Sequence, residues 1–584
     1  MRAPVGGGLF VGCSSGTPGE EGEERKQALE GTRENSSAAL RVHPDVAQAL
    51  EAGKTVLGVL HLRKSPSSLA DLIGEQTGSA GVSAEGELVE GLLNGEPADD
   101  AAFARAADDI RSAASIRYRE SLDERRSMWM ALAQRFELFD SLSDAISQGT
   151  SSATIELQPA LAEAIVSASP VELRAIGQYS EGSPGLTSGL ASMKLSTIAH
   201  PAGWRGDGLG IFVTEGGRPW AFTSDCVDTN RLTVLSGTLS PFAEHPELVV
   251  CLAQAAAPGA EVYYRTFYGA CGSDFPPDLL MSNPPAYVST QSHGWFGSRD
   301  YEPCDADFGD LILSTRIAHF QLAHNDGGNV RSPAVAYNVL AIGALDDEAS
   351  PDEVASFSNY VDPKTLAFKP ELVAPGVHVD VSPDFQDQGG TSVATPLAAG
   401  FATALMEQRS WLRGRPALLR AYLMANAVRV DSDGILVGDR DGYGRLDYGI
   451  AQFGKAYWWD GSNGSFFTQD TDGDGRKEIV VVYNLTSTGT YHAVISWLVD
   501  GSYAEQTLRP NMDLDLSVRA PNGTSLGHSV SAVQNHEGVR FTTSSTGNHS
   551  PRQGTIRSSL SGISIAARGM CRSGSSFASV RRST

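Results

Sequence analysis

Hydrophobic positions are sparse over residues 14–38 (SSGTPGEEGEERKQALEGTRENSSA), where polar and charged residues dominate and aromatic ones are absent; the stretch predicts a flexible tether. From about residue 41 the apolar positions return in order. VHPDVAQALEAG spaces them as one face of a helix, TVLGVLHL reads as an apolar strand, and residues 102–147 read as a long charged helical segment. SATIELQPALAEAIVSASPVELRAIGQY, at 152–179, adds strand, helix and strand. Together they predict a small α/β unit. Over 200–455, short β-rich runs (GLGIFVTEGG, AEVYYRTFYGA, AYVSTQSHG, IAHFQLAHN, YNVLAIGAL) alternate with helical stretches such as ELVVCLAQAAA, the pattern of parallel strands joined by crossover helices. After 456 the chain turns to short strands and polar turns (KEIVVVYNL, YHAVISWLV, MDLDLSVRAPNG), which predict a β-sandwich. The expected fold class is therefore α/β: a tether over 1–40, an α/β unit over 41–190, a parallel-sheet domain over 191–455 and a β-sandwich over 456–584.

Composition narrows the partners. The chain has 584 residues, 41% of them hydrophobic and 20% charged, enough apolar side chain for several cores. A net charge of −24 argues against nucleic acid or an anionic membrane as the main partner. No run approaches the ~18 apolar residues of a membrane-spanning helix. The start, MRAPVGGGLFVGCSSG, resembles a short bacterial lipoprotein signal, which implies a lipid on Cys13 and an extracellular or cell-envelope location. Of the other cysteines, Cys226, Cys251, Cys271 and Cys304 lie close enough in sequence for one or two local disulfides, whereas Cys571 stands apart. No Cys/His cluster suggests zinc.

The segment richest in chemistry is GGTSVATPLAAGFATALMEQ, at 389–408. A Gly-Gly-Thr-Ser turn runs into a small-residue helix with Pro396 in its first turns. That places Ser392 at a helix N-terminus, where the dipole and unpaired N–H groups stabilise negative charge forming beside the hydroxyl. The plainer reading is simple N-capping by Thr391 or Ser392. The string GTSVATPLAAG is more specific than a cap: it resembles the serine motif of subtilisin-like proteases at Gly390, Thr391, Ser392, Ala394, Pro396 and Gly400. KPELVAPGVHV (369–379), SPAVAYNVLAIGAL (332–345), ASFSNY (355–360) and DGYGRLDYGIAQFG (441–454) extend the resemblance across 200–455.

The resemblance implies four roles. Ser392 is the nucleophile, and Asn325, closing IAHFQLAHN, is the oxyanion donor. Glu215 stands where the family has Asp, at the end of the alternating run GDGLGIFVTEGG, and it would orient the base. The base is His245, which opens a helix in SPFAEHPELVVCLAQAAA, although Pro246 and Glu247 replace the usual Gly-Thr. His293 is the rival base, with His319 and His324 nearby in sequence to the oxyanion strand, and Asp225 or Asp228 would replace Glu215 if it failed. Ser292, His293 and Gly294 resemble the family's substrate-lining strand, implying backbone contacts to a bound peptide.

The flanking units carry weaker resemblances. Residues 41–190 resemble an inhibitory prodomain, implying a precursor held inactive by its own N-terminal unit and cut between about 180 and 200 in a Gly/Ser-rich stretch. DTDGDGRKE places Asp470, Asp472 and Asp474 at alternating positions, with Gly475 turning the chain and Glu478 beyond, an oxygen-rich loop suited to calcium. The expected function is a secreted or envelope-anchored serine endopeptidase working through an acyl-enzyme on Ser392. The alternative is a catalytically inactive relative that binds peptides or a partner. A Ser-Glu-Asp acid protease is a third reading, but Glu244 and Glu247 do not supply its paired Glu and Asp.

Overall fold

The computed structural model describes residues 40–62, 123–178, 190–294, 301–459 and 483–570, with short breaks inside those stretches. In the N-terminal unit, β1 (Arg41–Val42), β2 (Val56–Leu62), β3 (Ser152–Leu157) and β4 (Leu173–Gln178) form one sheet in the order β1-β4-β2-β3. β1 runs parallel to β4 and the other pairs are antiparallel. Alternation explains the strands: Leu60 and Leu62 of β2 and Ala153, Ile155 and Leu157 of β3 all turn inward. They meet Val46 and Leu50 from the helix Pro44–Glu51, Trp129 and Leu132 from a helix over 123–136, Leu142 from Phe139–Gln148 and Ile165 from Pro159–Ala168. The long helix expected over 102–147 is, in its described part, two helices. The first ends at Glu137, whose φ of 56° is the left-handed conformation that stops a helix.

The central domain holds eight strands in one sheet: β5 (Gly210–Glu215), β6 (Leu232–Ser236), β7 (Glu261–Thr266), β8 (Ala286–Gln291), β9 (Ala318–Leu322), β10 (Leu340–Asp346), β11 (Glu353–Val354) and β12 (Leu372–Pro375). The order is β11-β10-β9-β8-β5-β7-β6, with β12 also paired to β10. All pairs are parallel except β10 with β11. The expected parallel-sheet α/β class is what the chain adopts. β5, β8 and β9 are buried at every position on both faces, with polar residues such as Glu215, Thr290 and Gln321 enclosed towards their carboxyl ends. After β5 the chain moves out to β6, returns through β7 and then builds on the far side of β5. Such a reversal opens a crevice at the carboxyl ends of the strands, where ligands bind in open parallel sheets.

Two helices pack closely across this sheet. In Thr391–Gln408, Gly400 faces Glu244–Ala256 so tightly that a Cβ there would lie 2.5 Å from Ala256 Cβ. Glycine is required at that contact. Residues 190–200 also belong to this domain: Leu195 and Ala199 are in its core, and Ser192 and Met193 carbonyls accept from Arg445 and the Tyr448 N–H at 2.8 and 2.9 Å.

In the C-terminal region, β13 (Lys455–Trp459), β14 (Tyr483–Leu485), β15 (Gly489–Trp497), β16 (Asp515–Arg519), β17 (Ser525–Ser529), β18 (His536–Thr543), β19 (Gly547–Gly554) and β20 (Ile563–Met570) form two antiparallel four-stranded sheets, β13-β20-β15-β18 and β14-β19-β16-β17. Their core is shared with the central domain: Ile495, Trp497, Leu516 and Val539 pack in one cluster with Ala306, Ala334 and Tyr337. Polar bonds cross the same boundary. Asn338 donates to the Val499 carbonyl and accepts its N–H, both at 2.8 Å, and Arg420 donates to Asn535 Oδ1 at 2.7 Å.

Candidate active site

Glu215 is the last residue of β5, and its side chain is 1% exposed. Its Oε1 accepts the Ser292 N–H at 2.7 Å, and its Oε2 lies 3.1 Å from His245 Nδ1 and 3.6 Å from His293 Nδ1. Burial pushes this carboxyl up, but the His245 imidazole, and His293 after it, more than offset that and leave it lowered to about 2. The group is therefore an ionised carboxylate at neutral pH. With its Nδ1 on Glu215, His245 turns Nε2 away, and that atom is buried and makes no hydrogen bond.

His245 stands in the first turn of Glu244–Ala256, and one face of that helix is clamped. Glu247 Oε1 accepts the Ser224 N–H at 2.5 Å, Cys251 is disulfide-bonded to Cys226, and Gln254 accepts from the Asp228 N–H at 2.9 Å. Residues 247, 251 and 254 fall four and three apart, on a single helical stripe. The Pro246-Glu247 departure from the family pattern thus has a local reason: Glu247 holds the loop that packs on this helix. Asp228 is engaged elsewhere, accepting from the Asn230 N–H at 3.0 Å, and Asp225 lies outside the described residues. Cys304 is also disulfide-bonded, whereas Cys13, Cys271 and Cys571 lie outside the described residues.

Ser392 occupies the second position of Thr391–Gln408 and is 2% exposed, with its Oγ making no hydrogen bond. Asn325 follows β9, and its Oδ1 accepts the Thr391 N–H at 2.7 Å and the Thr391 hydroxyl at 2.8 Å. These two bonds fix the amide so that Nδ2, the donor end, turns towards the serine. A Cβ at Gly390 would lie 3.0 Å from Ser392 Oγ and 3.4 Å from Asn325 Nδ2. Glycine there leaves open the place between hydroxyl and amide. The Ser392 N–H is one of the first four amides of the helix, which have no intrahelical acceptor.

The remaining histidines are held differently. His319 bonds Ser289 Oγ at 2.7 Å and Gln321 Oε1 at 3.2 Å, and burial lowers it to about 3. His324 is lowered to about 4, by burial first and then by Arg331. Its ring lies beside Gly294, where a Cβ would come within 2.6 Å of Nε2. In the segment expected to line a substrate, the Ser292 N–H serves Glu215 and the His293 carbonyl accepts from Gln321 Nε2 at 2.7 Å, so both backbone groups work inside the protein. Sequence reasoning missed the Thr391–Asn325 lock and the bond that Ser292 Oγ donates to the Ser392 carbonyl at 2.8 Å. The loop with Asp470, Asp472, Asp474 and Glu478 lies outside the described residues; among those described, no group of three or more His, Cys, Asp or Glu is arranged to hold a metal ion.

Comparison with known proteins reaches Asn325 and Ser392 through the family match, but not Glu215 or His245. Residues 319–447 match the subtilase family model. The halolysin-like extracellular serine protease Nep of Natrialba magadii is 36% identical over 133 residues, 22% of this chain and 22% of that protein. The serine protease AprX of Bacillus subtilis is 32% identical over 104 residues, 14% of this chain and 24% of AprX. The matches thus span less than a quarter of the length of these relatives. The structure of the prenylagaramide maturation protease PagA is covered over 95% of its length by 44% of this chain, at 21% identity and a TM-score of 0.35. The stretch 319–447, which holds Asn325 and Ser392, thus matches the subtilase family, and the chain is similar over part of its length to serine proteases.

Proposed function

We propose that the chain is a serine endopeptidase that cleaves peptide bonds through an acyl-enzyme on Ser392. His245 Nε2 takes the Ser392 proton as the hydroxyl adds to the scissile carbonyl, and later gives it to the leaving amine. Glu215 holds the imidazole in the tautomer with Nδ1–H and stabilises the imidazolium. The tetrahedral oxyanion is met by Asn325 Nδ2 and the Ser392 N–H at the helix start. Water then repeats the sequence on the acyl-enzyme and releases the acid. The observation that carries this reading is the Glu215 Oε2–His245 Nδ1 contact of 3.1 Å on a buried carboxylate lowered to about 2. It supports glutamate as a working replacement for aspartate, against an inactive relative.

The flanking regions complete the proposal. The N-terminal α/β unit acts as an intramolecular inhibitor until it is cut away. Residues from Ser192 onward are engaged in the central domain, so the cut falls ahead of 190 rather than anywhere in the 180–200 window. Delivery is to the cell exterior or envelope, a lipid on Cys13 being one anchor, and calcium binds the 470–478 loop. One similar protein, Nep of Natrialba magadii, is described as extracellular, which supports an exterior location.

A fluorophosphonate probe with mass mapping tests the reading. The wild type should be labelled on Ser392 and lose its N-terminal unit, while Ser392→Ala should take no label and stay full length. A folded wild type that resists the probe would establish the inactive alternative. Processing that is identical in both proteins would remove self-cleavage from the account.

A further inference from the structure

In an α-helix each carbonyl accepts the N–H four residues on. For Ser392 that residue is Pro396, which has no N–H, so the nucleophile's own carbonyl lacks its helical donor. Ser292 supplies one. Its Oγ donates to the Ser392 carbonyl at 2.8 Å, and its N–H donates to Glu215 Oε1 at 2.7 Å. Ser292 is 1% exposed, as is Glu215, and Ser392 is 2% exposed, so water does not compete for either bond. The residue follows β8, between β5, which ends in Glu215, and the helix that starts at Thr391. One buried serine therefore joins the acid of the site to the main chain of its nucleophile.

We propose that Ser292 is a positioning residue, whose hydroxyl replaces the helical donor lost at Pro396 and sets where Ser392 stands relative to the Glu215–His245 pair. The inference rests on Ser392 being the nucleophile. It assigns the Ser292 side chain a task distinct from lining the substrate. Without the hydroxyl the Ser392 carbonyl is left buried and unpaired, and the first turn of the helix shifts to relieve it. A shift of that kind costs reactivity without touching any atom that reacts.

The test is the rate of fluorophosphonate labelling at Ser392 in wild type, Ser292→Ala, and Ser292→Ala with Pro396→Ala. Ser292→Ala should label about 10-fold more slowly, the equivalent of losing one buried hydrogen bond. Adding Pro396→Ala restores an N–H aimed at the same carbonyl, so the double variant should recover most of the loss. A packing role for Ser292 gives no such recovery. If Ser292→Ala fails to fold, the double variant must regain both fold and labelling. Wild-type labelling with an unslowed Ser292→Ala, or with a double variant no better than the single, overturns the inference and leaves the proposed function standing. A wild type that takes no label at all overturns both.

Discussion

Asn325, reaching in from the end of β9, is tied to the helix start that carries Ser392: Thr391 gives both its N–H and its hydroxyl to Asn325 Oδ1, and Gly390 keeps the space before Ser392 clear. Glu215 and His245 also meet from a strand end and a helix start, 30 residues apart in sequence, but through a single contact between their side chains. Their helix is held from outside, by Glu247, the Cys226–Cys251 bridge and Gln254, rather than by its neighbour in the site. The half that carries Ser392 is thus set by two direct hydrogen bonds between Thr391 and Asn325 and a glycine that leaves space, which tolerate little change of residue. The base half is set by tertiary clamps, which can accept a longer acid or a different residue after the histidine. This is where the chain departs from the family pattern, with Glu215 and with Pro246-Glu247.

Substitutions at the reacting groups separate the halves least and cost most. Ser392→Ala and His245→Ala should each lower kcat on an unfolded, fluorescently labelled protein by about 10⁶-fold, since members of such a set act as a unit. Asn325→Ala should cost about 10²- to 10³-fold in kcat with little change in KM, because the amide serves the transition state. A matching loss in KM alone would move Asn325 from transition-state donor to substrate binding.

The contrast also explains what the sequence made legible. Eleven consecutive residues, GTSVATPLAAG, carry the proposed nucleophile, and they are readable because a helix start, a close helix packing and a candidate hydroxyl all fall in one window. The acid could be placed because it ends a buried strand. The Ser292 bridge could not: its need arises at Pro396, far along the chain, and leaves no periodic trace near residue 292. Glu371 was equally hidden. It lies in KPELVAPG, where a charged residue suggests surface, yet it is fully buried, paired with Lys369 Nζ at 2.7 Å and Arg420 Nη2 at 2.5 Å. The C-terminal strands were readable from their turns, but their fusion to the central domain rests on Asn338, Arg420 and Asn535, polar partners that no pattern pairs.

Smaller effects sharpen the comparison on the base side. Replacing Cys226 and Cys251 with Ala removes a bridge across 25 residues and should cost about 3 kcal/mol of stability, read by denaturant midpoint. Activity should fall further than in a variant destabilised equally within the N-terminal unit, because the helix carrying His245 is loosened. Glu215 gives a pH signature. Its carboxyl is lowered from 4.5 to about 2, so its stabilisation is complete above about pH 4.5 and is lost as pH falls towards 2. The stability gap between wild type and Glu215→Gln should close over that interval. A gap that stays constant with pH would mean that the carboxylate charge is not what holds the histidine.

The central claim is that Glu215 does the work of the family's aspartate. The ratio of kcat for wild type to kcat for Glu215→Gln, measured at pH 7 on one substrate with circular dichroism confirming both folds, tests it most directly. The account predicts a ratio of about 10⁴, since an amide cannot stabilise the imidazolium and favours the wrong tautomer, with Glu215→Asp far closer to wild type. Equal rates in wild type and Glu215→Gln would contradict it, and would take the buried carboxylate out of the mechanism.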